Sequence, residues 1–178
     1  MKLDIPLKIL GPVDHRPLKQ AALDLAAEAW LEGQGRQTHY EVHRQTESVV
    51  LVWCDEEPGI PTHKGGGWSY LADTAVPLME DIQSRFYERG GRVFRAMVAK
   101  LAPEGKIDPH VDQGESFATS HRIHVPLQTN PGVQFKINGR SFHLEEGVAY
   151  EVSNLDPHAV ANRGLRDRLH FIFDYAVQ

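Results

Sequence analysis

Apolar residues recur at helical spacing twice in the first half of the chain. Leu18, Ala22, Leu25 and Ala29 lie three or four positions apart, which predicts an amphipathic helix from about Pro17 to Leu31. Pro17 suits a first helical turn, where its missing N–H has no intrahelical partner to lose, and Gly33 follows as a stop. Val76, Met79, Ile82 and Phe86 repeat the period and predict a second helix from about Thr74 to Glu88. Thr74 is its expected N-cap, and Gly90-Gly91 closes it. Between the helices, His39–His43 and Ser48–Cys54 read as strands, the second apolar enough to be buried.

After Gly91 the pattern changes to short strands separated by turn residues. The segments are Arg92–Leu101, His121–Thr129, Val133–Ile137, Ser141–Leu144, Val148–Val152, Ala159–Asn162 and Arg168–Tyr175. Asn138-Gly139 between two of them is a two-residue hairpin signal, because both central residues of that turn need positive φ. Strands at this spacing predict a sandwich or barrel. The expected fold is therefore mainly β with flanking helices, a jelly-roll core with helices packed outside it. Nothing reads as a linker, so the expectation is a single domain over 1–178, with N-terminal support over about 1–91 and the core over about 92–176.

Composition adds exclusions. The chain has 178 residues, 41% hydrophobic and 24% charged, the profile of an ordinary soluble globular protein. A formal charge of −5 argues against a protein that holds nucleic acid by neutralising phosphates. The single cysteine, Cys54, excludes an internal disulfide and a multi-cysteine zinc site and suits a reducing compartment. The longest wholly apolar run, Val49 to Cys54, is far too short to span a bilayer, and Asp4, Lys8 and Asp14 interrupt any leader-like start. The expected location is the cytoplasm, with neither membrane nor nucleic acid as partner. Ten histidines stand out, because imidazole is the commonest metal ligand.

Two strands carry polar residues on a face of their own. In Arg122-Ile123-His124-Val125-Pro126-Leu127 the apolar side chains point one way, and Arg122 and His124 point the other. Arg168–Tyr175 repeats the design, with Arg168, His170 and Asp174 opposite Leu169, Phe171, Phe173 and Tyr175. Either strand alone is as well explained by a polar face turned to water; two of them suggest a polar cavity lining. His110-Val111-Asp112, with His158 from a later strand, supplies two imidazoles and a carboxylate to one ion. That donor set matches the facial triad of non-haem Fe(II) oxygenases and also tolerates zinc, nickel or manganese. Arg168, ten residues after His158, offers a guanidinium fork for the carboxylate of a dicarboxylate co-substrate.

Pro103 to Asp112, Arg122–Leu127, Thr129-Asn130-Pro131, Asn154, Pro157–Asn162 and Arg168–Phe171 together resemble the aspartyl/asparaginyl β-hydroxylase family of 2-oxoglutarate-dependent dioxygenases. The resemblance runs from about Arg92 to Tyr175. It implies a double-stranded β-helix (jelly roll, cupin-like), Fe(II), dioxygen, and oxidative decarboxylation of 2-oxoglutarate. By position it implies His110, Asp112 and His158 as metal ligands. It further implies Arg168 on the distal carboxylate of 2-oxoglutarate, His124 near the carboxylate beside the metal, and Arg122 facing co-substrate or substrate. Some members bind iron with two histidines alone; the triad completed by Asp112 is similar to bacterial members, including some acting on free amino acids such as proline.

His63-Lys64-Gly65-Gly66-Gly67-Trp68 lacks the order of a phosphate loop and reads as a flexible surface loop. His15, His39, His43, His63, His121 and His143 read as surface or turn residues, Trp30 and Trp53 as core or interface residues, and Cys54 as a small apolar filler. Asn154 and Asp156 could hydrogen-bond an imidazole N–H or shape the turn before His158. The expectation is an Fe(II)/2-oxoglutarate-dependent hydroxylase acting on a free amino acid or other small carboxylate, with Arg122 left to meet that carboxylate. An aspartyl/asparaginyl peptide hydroxylase and a non-catalytic cupin-like metal or ligand-binding protein are the alternatives. Oligomeric state is left open.

Overall fold

The computed structural model describes residues 3–31, 41–54 and 62–177. In order, these form β1 (Leu7–Pro12), α1 (Arg16–Leu23), α2 (Ala27–Leu31), a 3-10 turn (Glu41–His43), β2 (Thr46–Trp53), β3 (His63–Lys64) and α3 (Trp68–Phe86). The chain continues with β4 (Arg92–Leu101), β5 (Lys106–His110), α4 (Glu115–Thr119), β6 (His121–Gln128) and β7 (Val133–Ile137). It ends with β8 (Arg140–Phe142), β9 (Val148–Val152), β10 (His158–Asn162) and β11 (Arg168–Ala176). A seven-stranded sheet has the order β1-β9-β6-β11-β4-β2-β3, and a four-stranded sheet the order β5-β10-β7-β8. They are the two walls of a jelly roll, as expected.

Alternation along β6 and β11 builds two layers. Leu169, Phe171, Phe173 and Tyr175 join Ile123, Val125 and Leu127 against Leu18 and Ala22 of α1 and Leu71, Ala75, Leu78 and Ile82 of α3. Each such large side chain stabilises the layer by roughly 1.5–3 kcal/mol relative to exposure. The opposite face of β11 is not turned to water: all nine residues of the strand are buried, so Arg168, His170 and Asp174 lie inside the roll. An apolar cluster of Leu101, Phe135, Ile137, Tyr150, Val152 and Val160 fills another part of the protein. Asn138 and Gly139 take φ of 49° and 76°, the hairpin turn the sequence predicts between β7 and β8.

The N-terminal half departs from expectation in four places. The helix expected over Pro17–Leu31 breaks at Asp24, so that α2 can turn Trp30 into the core beneath Lys100. The second helix starts at Trp68 rather than Thr74, whose hydroxyl donates back to Leu71 O at 3.1 Å instead of capping. Of the strand expected at His39–His43, residues 39 and 40 lie outside the described residues, and Glu41–His43 is a 3-10 turn. The glycine run is no flexible loop. Gly65 and Gly67 donate to Leu51 O and Val50 O, each at 2.9 Å, and a Cβ on Gly65 would stand 2.4 Å from Val50 O. Only glycine allows that approach to β2. No helix among the described residues is long and apolar enough to cross a membrane.

Candidate metal centre and active-site pocket

His110 closes β5 and His158 opens β10, and the two face each other directly in the antiparallel register of these strands. Each is the third residue of an Asp-Pro-His tripeptide, at 108–110 and 156–158. His110 Nδ1 lies 2.9 Å from Asp108 O, and His158 Nδ1 lies 3.0 Å from Asp156 O. A carbonyl oxygen only accepts, so both Nδ1 atoms carry the proton and both Nε2 atoms keep a lone pair. Asp112, its N–H bonded to Asn154 O at 3.1 Å, brings Oδ1 to 3.8 Å from His110 Nε2 and 4.0 Å from His158 Nε2. One ligand atom from each of the three residues lies within 4.8 Å of the others. Burial, together with His110 and Arg122, pushes the His158 pKa down despite Asp112, which favours the neutral, ligating form.

Locked tautomers, a shared carboxylate and no thiolate fit a hard-to-borderline divalent cation such as Fe(II). Asp156 reaches the His158 imidazole through its main-chain carbonyl, and the Asn154 carbonyl accepts from the Asp112 N–H instead of from an imidazole. The Asp-Pro-His repeat is a signal that a search for ligand spacing alone passes over.

Beside the triad lies a cavity of about 270 Å³ whose lining includes His43, Trp53, Arg95, Met97 and Phe117 along with His110, Asp112 and Arg122. His43, expected at the surface or in a turn, ends the 3-10 turn and is buried, its ring edge-on to His110 at 5.2 Å between centroids. Arg122 is engaged by two acids: Nη1 lies 2.9 and 3.0 Å from the oxygens of Asp174, and Nε lies 3.3 Å from Asp112 Oδ2. Asp174 feels opposing effects, burial raising its pKa and the guanidinium groups of Arg122 and Arg95 opposing that rise. Arg95, which sequence reading passed over, is also buried. Its Nη2 donates to Ser116 Oγ at 3.0 Å, Nη1 stands 3.6 Å from Asp174 Oδ2, and the group lies 4.0 Å over the Phe117 ring. Arg95 Nε and Nη1 have no hydrogen-bond acceptor among the described residues. Its signal was the strand period: Arg95, Met97 and Ala99 share the inward face of β4.

Arg168 sits deeper on β11, 1% exposed, with Nη2 donating to His170 Nδ1 at 2.7 Å. His124 Nδ1 stands 3.5 Å from the same nitrogen. Burial and the Arg168 charge hold His170 well below the usual histidine pKa, so it is neutral with its proton on Nε2. Ring contacts run from His158 to Phe135, from Phe135 to His124 and from His124 to His170. The roll interior thus connects the triad to Arg168.

The sequence profile of the family described as Aspartyl/Asparaginyl beta-hydroxylase matches residues 71–177. An L-proline cis-4-hydroxylase from Rhizobium meliloti (strain 1021) is 23% identical over 132 residues, which cover 72% of this chain and 47% of that enzyme. The chain thus spans about half the length of the curated relative it matches. A 2OG-Fe(II) oxygenase family oxidoreductase from Burkholderia pseudomallei superposes with a TM-score of 0.56 at 13% identity, covering 74% of this chain and 67% of that one. A prolyl-4-hydroxylase from Pseudomonas putida does so with a TM-score of 0.52 at 14% identity, covering 98% and 94%. These two likenesses establish the fold.

Proposed function

Because the chain belongs to the aspartyl/asparaginyl β-hydroxylase family, we propose that it is a 2-oxoglutarate-dependent hydroxylase of a small carboxylate-bearing molecule, such as a free amino acid. The observation that carries this reading is the pair of imidazoles locked with Nε2 toward one carboxylate, in a roll interior that also buries Arg168. His110, Asp112 and His158 would hold Fe(II), which with 2-oxoglutarate and dioxygen supplies oxidative decarboxylation to succinate and the oxidant for a C–H bond.

The residues of the chain bind, orient and exclude water. Main-chain carbonyls keep the two ligating rings in one tautomer. Arg168, backed by His170, meets the distal carboxylate of the keto acid, and His124 lies between that group and the triad. Trp53, Met97 and Phe117 give the neighbouring cavity apolar walls.

Substrate class follows from charge. Arg122 is taken up by Asp112 and Asp174, so the role of meeting a substrate carboxylate passes from Arg122 to Arg95, whose Nε and Nη1 retain donor capacity. Arg95 and Arg122 balance Asp112 and Asp174 within the buried site. Fe(II) and Arg168 then bring three positive charges against the two negative charges of 2-oxoglutarate. A substrate carboxylate cancels the remainder, which a buried site otherwise carries at a cost; the ammonium of a free amino acid would add one positive charge back, so the balance speaks for the carboxylate and not for the amino group. The relative named for L-proline points the same way.

The test is succinate formation by purified protein with Fe(II), 2-oxoglutarate and a panel of free amino acids, set against aspartyl- and asparaginyl-containing peptides. Stimulation by at least one free amino acid is expected. Stimulation by peptides alone would overturn the substrate class, and no succinate above the metal-free control would overturn the activity.

A further inference from the structure

Asp112, half-buried, is the last member of a row of charges that begins, fully buried, on another strand. Asp174 sits in β11, directly across from Arg122 of β6 in the antiparallel register, and both are anchored in the large sheet. Asp174 is 0% exposed and Arg122 6%. Arg122 Nη1 meets both oxygens of Asp174, at 2.9 and 3.0 Å, while its Nε reaches Asp112 Oδ2 at 3.3 Å. Asp112 itself lies beyond the end of β5, outside any strand. Its Oδ1 is the oxygen turned to both Nε2 atoms, at 3.8 and 4.0 Å.

We propose that Arg122 and Asp174 are positioning residues that hold Asp112 as a one-oxygen metal ligand, with Asp174 acting through Arg122. The inference rests on the metal reading above. A carboxylate at a strand end can rotate and offer either oxygen or both. A planar guanidinium presents charge along different edges, so Arg122 hydrogen-bonds Asp174 through Nη1 while its Nε, 3.3 Å away, holds Asp112 Oδ2 as an ion pair. The sheet fixes Asp174, Asp174 fixes the plane of Arg122, and Arg122 leaves only Oδ1 for the metal. A lysine, with a single point charge, offers no such transmission.

Charge alone makes the opposite forecast for Arg122. Removing a cation beside a divalent ion should tighten metal binding, and removing the anion Asp174 should loosen it. Positioning predicts that both removals loosen it.

The experiment measures Co(II) affinity of the full metal-free chain by calorimetry, with visible absorption spectra of the Co(II)-loaded protein. Arg122→Gln should weaken Co(II) by roughly 10–100-fold, the usual consequence of removing a group that orients a metal ligand. Its cobalt bands should also change, as Oδ2 becomes free to join the ion. Asp174→Asn should weaken binding in the same direction. The double variant Arg122→Gln/Asp174→Asn removes both charges of the pair, which protects its folding, and should match Arg122→Gln within about threefold because the two act in series. Wild-type or tighter Co(II) affinity with unchanged bands in Arg122→Gln would overturn the proposal. Should the single variants fail to fold, wild-type affinity in the double variant would overturn it equally. Absence of Co(II) binding by the wild-type chain would instead overturn the metal reading, and this inference with it.

Discussion

One hydrogen bond of 2.7 Å, from Arg168 Nη2 to His170 Nδ1, sets the chemistry of the deep end of the roll. The guanidinium can only donate, so it fixes the tautomer of His170, and burial together with its charge keeps that ring neutral. Arg168→Ala should weaken 2-oxoglutarate binding by about 2–5 kcal/mol, the usual cost of truncating one partner of a buried charge pair, with little change in metal affinity. Calorimetry with Mn(II) present checks both. His170 also makes stability depend on pH. Its folded-state pKa lies below the unfolded value, so the unfolded chain binds the extra proton as pH falls through the mid-sixes. Stability should then fall by up to about 1.4 kcal/mol per pH unit below that point and level off only below the folded pKa. Urea unfolding at pH 7.5 and 5.5 should show this loss, and His170→Gln should reduce it. At this scale the sequence showed which side chains of β6 and β11 share a face, because side chains alternate along a strand, but it passed over Arg95 on β4. It could not show that the carboxylates on Arg122 come from positions 112 and 174, since pairing across strands depends on register.

The elements of the C-terminal half were the more legible ones. Turn residues punctuate them, and the hairpin at Asn138-Gly139 formed where its positive-φ requirement put it. The N-terminal elements were set by contacts that local pattern does not encode. α3 begins at Trp68 because the glycines before it lie flat on β2, not because of a capping side chain. β1 and β5 went unread, one at the edge of the large sheet, the other containing Pro109. Two glycines now separate two kinds of cost. Gly65→Ala forces a Cβ into the Val50 carbonyl and should destabilise by about 1–3 kcal/mol, as overpacking does. Gly139→Ala meets nothing within 4 Å and should cost only the left-handed backbone penalty, roughly 1–2 kcal/mol. Thermal melts of the two variants, with the Gly65→Ala deficit accompanied by faster amide exchange along β3, would check the distinction.

At the scale of the molecule, the roll keeps its larger apolar layer outside, beneath the helices, and carries its ionic groups inside, between the walls, beside a second apolar cluster to which both sheets contribute. Stability and chemistry therefore draw on different faces of the same strands, β6 and β11. Residues of the outer layer, such as Phe173, can be truncated at a cost to stability without touching the pocket, while Asp174 beside it in sequence belongs wholly to the site.

The direct facing of His110 and His158 across β5 and β10 has a kinetic consequence. The two histidines are far apart in sequence, and they meet only when the smaller wall has closed. Such long-range pairing is slow compared with helix formation. A refolding chain should regain helical circular dichroism before it can capture an ion, so stopped-flow refolding with Co(II) present should show the cobalt absorption lagging behind the far-ultraviolet signal. Capture of the ion would then act as a late clock for this protein, striking only when the last strands have found each other.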